Sequence, residues 1–153
     1  MKRFLLLLLL LLTVCSSAFA ECNLNQARWK YLYSTNEYGF YFDTLTLNVN
    51  SSGSTFEVWE CNYFPGKVSA CNWPNCKEKG LESSEHYHYV LTEYDYRKRT
   101  LTYKSFVGRD NNGKVIVSYD EPSYLQKTIT IVPDTIGEVN FLAIKKYIDS
   151  QKK

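Results

Sequence analysis

Short runs rich in tyrosine and β-branched residues, separated by turn residues, dominate this sequence. Side chains in these runs alternate between two faces, which is typical of β-strands rather than helices. Residues 28–34 and 55–64 are such runs, and residues 85–96 and 99–107 predict a hairpin with its turn at residues 97–98. Because tight turns join neighbouring strands in antiparallel pairs, we expect an antiparallel sheet of about six strands.

A helix is predicted only near the C-terminal end of the chain. Apolar residues recur at helical spacing over residues 136–149, so one face of this helix can pack on the sheet. Thr135 and Glu138 match a capping box, in which each side chain satisfies a backbone N–H of the first turn. The predicted fold class is therefore α+β: a single antiparallel β-sheet of about six strands with a C-terminal α-helix packed on it.

The first residues have the pattern of a secretory signal peptide. Two basic residues precede an apolar run at residues 5–12, and a small-residue exit ends at Ala20. We expect cleavage near Ala20, which divides the chain into a signal peptide at residues 1–20 and a single secreted domain at residues 21–153. The apolar run is shorter than the roughly 20 residues of a spanning helix, so no transmembrane segment is predicted. The expected location is the medium, the cell surface or the periplasm.

Lipid anchoring is the less favoured alternative to plain cleavage. A lipoprotein signal places a small residue directly before the acceptor cysteine, whereas Val14 precedes Cys15 and Glu21 precedes Cys22. The sequence therefore favours an unmodified mature N-terminus.

The charge balance argues against a nucleic-acid partner. The chain has 18 Lys and Arg, and the two basic residues of the signal peptide leave 16, which match the 16 Asp and Glu. A mature chain without net positive charge lacks the main electrostatic attraction for a phosphate backbone.

The cysteines predict two disulfides in an exported chain. The mature domain contains Cys22, Cys61, Cys71 and Cys76, and four cysteines allow three connectivities. If all four are bridged, Cys22 can pair with only one of the others, so the second bridge joins two of the clustered residues Cys61, Cys71 and Cys76. We expect that bridge to hold the long loop at residues 65–84.

The sequence contains no motif for catalysis, a cofactor or a metal. There is no nucleophile elbow, phosphate-binding loop or paired zinc-ligand spacing. His86 and His88 are the only histidines, so a His-dependent secreted enzyme stays the less favoured alternative. Glu93 and Asp95 are interpreted as a solvated hairpin edge, and Asp43 as a turn cap after an aromatic strand.

Aromatic residues supply the candidate binding site. The chain has 24 of them, and 13 are tyrosines. One short helix cannot cover rings on both faces of a sheet, and exposed Tyr and Trp commonly dominate protein interfaces. Either a ligand surface or a homodimer interface would use them. The predicted binding residues are Tyr63, Trp73, Tyr87, Tyr89, Tyr94 and Tyr96.

Three aromatic segments resemble the bacterial surface-adhesin protein E family, over about residues 29–63. They are Trp29-Lys30-Tyr31, the segment from Gly39 through Tyr41-Phe42-Asp43 to Leu45, and Phe56-Glu57-Val58-Trp59. The resemblance implies a small antiparallel sheet with a C-terminal helix, export to the cell envelope and, for some members, binding of host proteins. No binding residue of the family can be matched to this sequence.

These observations together predict an exported bacterial cell-envelope or secreted binding protein, adhesin-like and without catalytic activity. The expected partner is a protein, such as a host matrix or serum protein, and no cofactor or metal is expected. A structural envelope component that associates with itself is the main alternative.

Overall fold

A computed structural model describes residues 24–68 and 85–152 of the chain. The predicted signal peptide at residues 1–20 lies outside the described residues, as do Cys22, Cys71, Cys76 and Trp73. The predictions made for them therefore stay predictions.

The described residues form one antiparallel sheet and one helix. The sheet follows the order β1-β2-β4-β5-β6-β7, with β3 beside β4 and β8 beside β6. This arrangement confirms the predicted α+β class; β3 and β8 are short additions to the six-stranded path. The elements are β1 (Trp29–Ser34), β2 (Gly39–Asp43), β3 (Asn48–Val49), β4 (Thr55–Val68), β5 (Glu85–Asp95), β6 (Thr100–Arg109), β7 (Val115–Asp120), β8 (Thr128–Thr130) and α1 (Ile136–Gln151).

Helix α1 covers one face of the sheet with its apolar stripe. Phe141, Ile144 and Ile148 on the helix are buried against alternate residues of the strands. The helix has 16 residues, and the described part of the chain contains no helix that is long and apolar enough to cross a bilayer. The buried helix-side core consists of Phe42, Phe56, Val58, Tyr94, Leu101, Ile131, Phe141, Ile144 and Ile148.

The N-terminus of α1 is capped largely as predicted. The Thr135 hydroxyl accepts from the Glu138 N–H at 3.4 Å. The Glu138 carboxylate reaches one residue further back than expected and accepts from the Asp134 N–H at 2.9 Å, and it also pairs with Arg99. The cap therefore ties the start of the helix to the β5–β6 turn.

The variant Thr135→Ala should lower the free energy of unfolding by about 1 kcal/mol, because one N–H of the first turn loses its acceptor. Urea unfolding monitored by circular dichroism measures this loss. Thr135→Ser keeps the hydroxyl and should stay close to the wild type; equal losses in the two variants would show that the cap contributes nothing.

One carboxylic acid lies inside the helix side of the sheet. Glu60 is buried and accepts hydrogen bonds from the Thr92 hydroxyl at 2.8 Å and from the Tyr94 hydroxyl. Burial, opposed in part by these two hydrogen bonds, raises the pKa of Glu60 to about 7. The stability of the helix-side core should therefore depend on the protonation of Glu60.

Candidate functional site

The face of the sheet opposite α1, called here the distal face, carries a second aromatic cluster. Because side chains alternate along a strand, Trp59, Cys61 and Tyr63 of β4 point away from the helix. They pack with rings from β1, β2 and β5. The buried members are Trp29, Tyr41, Cys61, Tyr63 and Tyr87, and the partly buried ones are Leu24, Trp59 and Tyr89.

An open cleft of about 380 Å³ lies on this face. The Trp29 ring packs edge-on against the Tyr89 ring, with centroids 5.3 Å apart, and Trp59 is partly exposed beside them. The cleft therefore presents aromatic rings on rigid strands. We call it the arginine cleft; its lining is Arg28, Trp29, Thr46, Trp59, Tyr89, Val107, Arg109 and Gly113.

The first arginine of the cleft is neutralised by a buried carboxylate. The Asp43 side chain is inaccessible to solvent and accepts from Arg28 Nε at 2.9 Å and Nη2 at 2.5 Å. It also accepts from the Leu45 N–H at 3.0 Å, which confirms the predicted turn cap. Burial acts to raise the pKa of Asp43, but the hydrogen bonds from Arg28 and Leu45 outweigh it and hold that pKa below its ordinary value.

The second arginine has no such partner. The Arg109 guanidinium carbon lies 5.7 Å from the centroid of the Tyr89 ring, and Nη1 donates to the Gly113 carbonyl at 2.9 Å. Gly113 has a positive φ of 81° in the Asn-Gly turn between β6 and β7, a conformation that glycine adopts readily. Among the side chains that the structure describes, no carboxylate forms an ion pair with Arg109.

Three of the predicted binding residues lie on the distal face. Tyr63 and Tyr87 are 4% and 3% exposed, and their ring centroids are 5.0 Å apart. Tyr89 is partly exposed and lines the arginine cleft. Of these three, Tyr89 is the residue that a ligand in the cleft would contact.

Two other predicted residues lie on the helix side of the sheet. Tyr94 is 1% exposed, and its hydroxyl donates to Glu60. Tyr96 packs against Phe56 and Phe141, at centroid distances of 5.1 Å and 5.7 Å. The five described tyrosines therefore do not form one surface, because even-numbered and odd-numbered positions of β5 face opposite ways.

The predicted binding residues do not include the two arginines and the two tryptophans of the cleft: Arg28, Trp29, Trp59 and Arg109. Trp29 and Trp59 could have been predicted as binding residues, since both lie in alternating aromatic runs. The arginines carried no signal in the sequence, because their neighbours come from strands distant in the chain.

The histidines lie on the helix side of the sheet, away from the arginine cleft. His86 Nδ1 lies 3.0 Å from the Phe64 carbonyl oxygen, and the buried His88 ring packs between Phe64 and Phe106. Cys61 points to the distal face, so it cannot share a metal with these imidazoles. No group of three or more potential metal ligands occurs within residues 24–68 and 85–152.

The acids of the β5 hairpin arm do not pair with each other. Glu93 lies directly opposite Glu57 in the β4–β5 ladder, and Lys104 Nζ bridges the two carboxylates at 2.6 Å each. Asp95 instead accepts from the N–H groups of Arg97 and Lys98, both at 2.9 Å. These contacts agree with a hairpin edge and place no acid pair in the cleft.

Comparison with solved structures shows a likeness in fold. No protein-family model matches the sequence, and no curated protein matches it. The fold is similar to the crystal structure of protein E from non-typeable Haemophilus influenzae, with a TM-score of 0.51 and 11% identity over 83% of this chain and 79% of that chain. At this identity the likeness concerns the fold: an antiparallel sheet with a C-terminal helix.

Proposed function

We propose that this protein is an exported, adhesin-like binding protein of the bacterial envelope, which contacts a protein ligand through the arginine cleft. The proposal includes removal of the signal peptide near Ala20 and a mature domain at residues 21–153. It assigns the chain no catalytic step. The observation that carries it is the cleft itself, with Trp59 and Tyr89 partly exposed on a rigid sheet beside Arg109.

The chemistry of the cleft suits protein recognition. Trp, Tyr and Arg are the residues that most often dominate binding energy at protein interfaces. Trp and Tyr offer large contact areas with few rotatable bonds, and Arg offers a planar set of hydrogen-bond donors. Here Trp29 and Tyr89 hold each other edge-on, and the sheet fixes the strands beneath them. A ligand would therefore meet a surface that needs little ordering on binding.

A short sequence resemblance and a likeness in fold support the adhesin assignment. The segments containing Trp29, Asp43 and Trp59 resemble the surface-adhesin protein E family, and the fold is similar to that of a protein E. The same residues line or support the cleft in this structure. Sequence motif and cleft thus concern the same part of the molecule.

Disulfides among Cys22, Cys61, Cys71 and Cys76 belong to the same proposal. Cys61 is fully buried in the distal-face cluster. A bridge from it would hold a neighbouring segment close to this face, and peptide mapping without reduction would identify its partner.

Self-association and a His-dependent activity are the less favoured alternatives. Tyr87, one of the tyrosines predicted for a ligand surface or a homodimer interface, is buried. His86 and His88 lie on the opposite side of the sheet from the cleft.

The variant Trp59→Ala should weaken ligand binding at least about tenfold, since truncating a central aromatic commonly costs more than 1.4 kcal/mol. Binding is measured by interferometry on an immobilised panel of purified matrix and serum proteins. Tyr124→Ala is the control, because Tyr124 is an aromatic residue that is 83% exposed and does not line the cleft. Absence of binding to the whole panel, or equal effects of both variants, would count against the proposed function.

A further inference from the structure

We infer that the arginine cleft receives an acidic side chain of the protein ligand, with its carboxylate on Arg109 and its neighbouring apolar groups against Trp59 and Tyr89. This inference rests on the proposed function and specifies the chemistry of the partner. The occupant of the cleft is a peptide segment that carries Asp or Glu.

The charge of the cleft favours an acidic ligand. Arg28 and Asp43 neutralise each other, so the net charge among the lining residues comes from Arg109. Asp110, the next residue in the chain, accepts from the N–H groups of Asn112 and Lys114 at 2.9 Å and 2.8 Å. These bonds hold the Asp110 carboxylate in the turn, and among the described residues it makes no ion pair with Arg109, the charged lining residue that has no acidic partner.

The other described acids of the distal face lie too far along the strands to compensate Arg109. Asp120 pairs in register with Ser105, four residues of β6 from Arg109, and Glu93 lies six residues of β5 from Tyr87, the partner of Arg109. At 3.3 Å per residue these separations are about 13 Å and about 20 Å, beyond the screening length of about 8 Å at physiological salt. Lys104 also occupies Glu57 and Glu93.

The geometry of Arg109 also favours a carboxylate. Its contact with the Tyr89 ring and its bond from Nη1 to the Gly113 carbonyl fix the plane of the guanidinium. Nε and Nη2 donate to no carboxylate among the described residues and can donate to one from a ligand. A planar fork held in this way suits a carboxylate better than a flexible lysine would.

A peptide acid fits this site better than a sulfated polysaccharide. Polyanions are bound by rows of cations, and their affinity follows the number of charges neutralised. The cleft offers one uncompensated arginine between aromatic rings. That combination matches a single carboxylate next to an apolar or aromatic side chain.

The test uses the protein secreted from its full-length gene, and selects binders from a library of short random peptides. Wild-type protein should enrich peptides that contain Asp or Glu, and Arg109→Gln should abolish that preference and weaken the selected peptides at least about tenfold, since the hydrogen bonds from the charged guanidinium are lost. Arg97→Gln is the matched control, because Arg97 is exposed at the β5–β6 turn, at the other end of the hairpin from Arg109. Thermal unfolding checks that each variant is folded.

Each outcome decides the inference. Peptides whose binding depends on Trp59 but shows no acidic preference, or an acidic preference that persists in Arg109→Gln, would overturn it while the proposed function stands. Heparin binding that requires Arg109, without peptide binding, would overturn it in favour of a polyanion. Selection of no peptide by the wild type, together with no effect of Trp59→Ala in the protein panel, would remove both proposals.

Discussion

The free energy of unfolding is expected to fall by roughly 3 kcal/mol as the pH rises from about 4.5 to about 7, because of Glu60. Its pKa is about 7 in the folded protein, against an ordinary value of 4.5, so between these values the folded state holds a proton that the unfolded state has released. The contribution is fully present below pH 4.5 and is lost by about pH 7. Removing the carboxylate as Glu60→Gln should abolish this dependence.

The neighbours of Glu60 do not reverse this loss of stability with rising pH. Tyr94 and Thr92 donate hydrogen bonds to it, and these bonds favour the charged form, but burial outweighs them. The phenols of Tyr33 and Tyr103 interact electrostatically with the same carboxylate, and both have a pKa above its ordinary value of 10. They stay neutral throughout the pH range of interest and add no slope of their own.

Urea unfolding at intervals from pH 5 to pH 8 measures the effect. Glu57→Gln is a matched control, since Glu57 lies three residues earlier on β4 and on the distal face, where it pairs with Lys104. Asp43, Asp95, Glu138 and Asp149 have lowered pKa values, so their contributions change below this range. Parallel slopes for the wild type and Glu60→Gln would show that Glu60 is not the responsible group.

The alternation of side chains allowed much of the fold to be predicted. Alternation along the run at residues 55–64 puts Phe56 and Val58 on one face and Trp59 on the other, and the structure places the first two under α1 and the third on the distal face. The capping residue Thr135 was also identified from local chemistry. These features depend on neighbours in sequence, which is why one sequence sufficed.

The exposure of individual tyrosines could not be predicted in the same way. Tyr87, Tyr89 and Tyr94 are chemically alike and lie on one strand, but their burial depends on what packs over each of them. Tyr94 is covered by Phe56 and Phe141. Such coverage comes from elements distant in the chain, so composition alone does not reveal it.

The side of the sheet on which Arg109 lies could not be predicted from the sequence either. Leu101 points toward α1 and joins the helix-side core, so strict alternation along β6 would place Arg109 on that same side. The β5–β6 register shifts between Leu91 and Thr92, which pair with Ser105 and Tyr103. This bulge reverses the alternation and turns Arg109 toward the cleft. No local signal in the sequence marks the bulge.

Truncation of Phe56 to alanine is expected to cost about 3–5 kcal/mol of unfolding free energy, the usual range for a buried phenylalanine. Phe56 is 1% exposed, and its ring stacks on Tyr94 at a centroid distance of 4.7 Å and on Phe141 of α1 at 6.3 Å. The variant leaves a cavity between the sheet and the helix. Phe56→Leu fills part of that cavity and should lose markedly less, and both losses are measured by urea unfolding. Tyr124→Ala, an exposed truncation of similar size, should stay within about 0.5 kcal/mol of the wild type.

Phe56 and Trp59 together separate stability from binding, because they lie on opposite faces of β4. At a temperature where Phe56→Ala is still folded, it should bind the ligand with nearly unchanged affinity, whereas Trp59→Ala should lose binding and keep most of its stability. If Phe56→Ala weakened binding as much as Trp59→Ala while still folded, the helix side of the sheet would have to take part in recognition. Binding of the ligand to the distal face would then be the wrong assignment, whatever the stability of either variant.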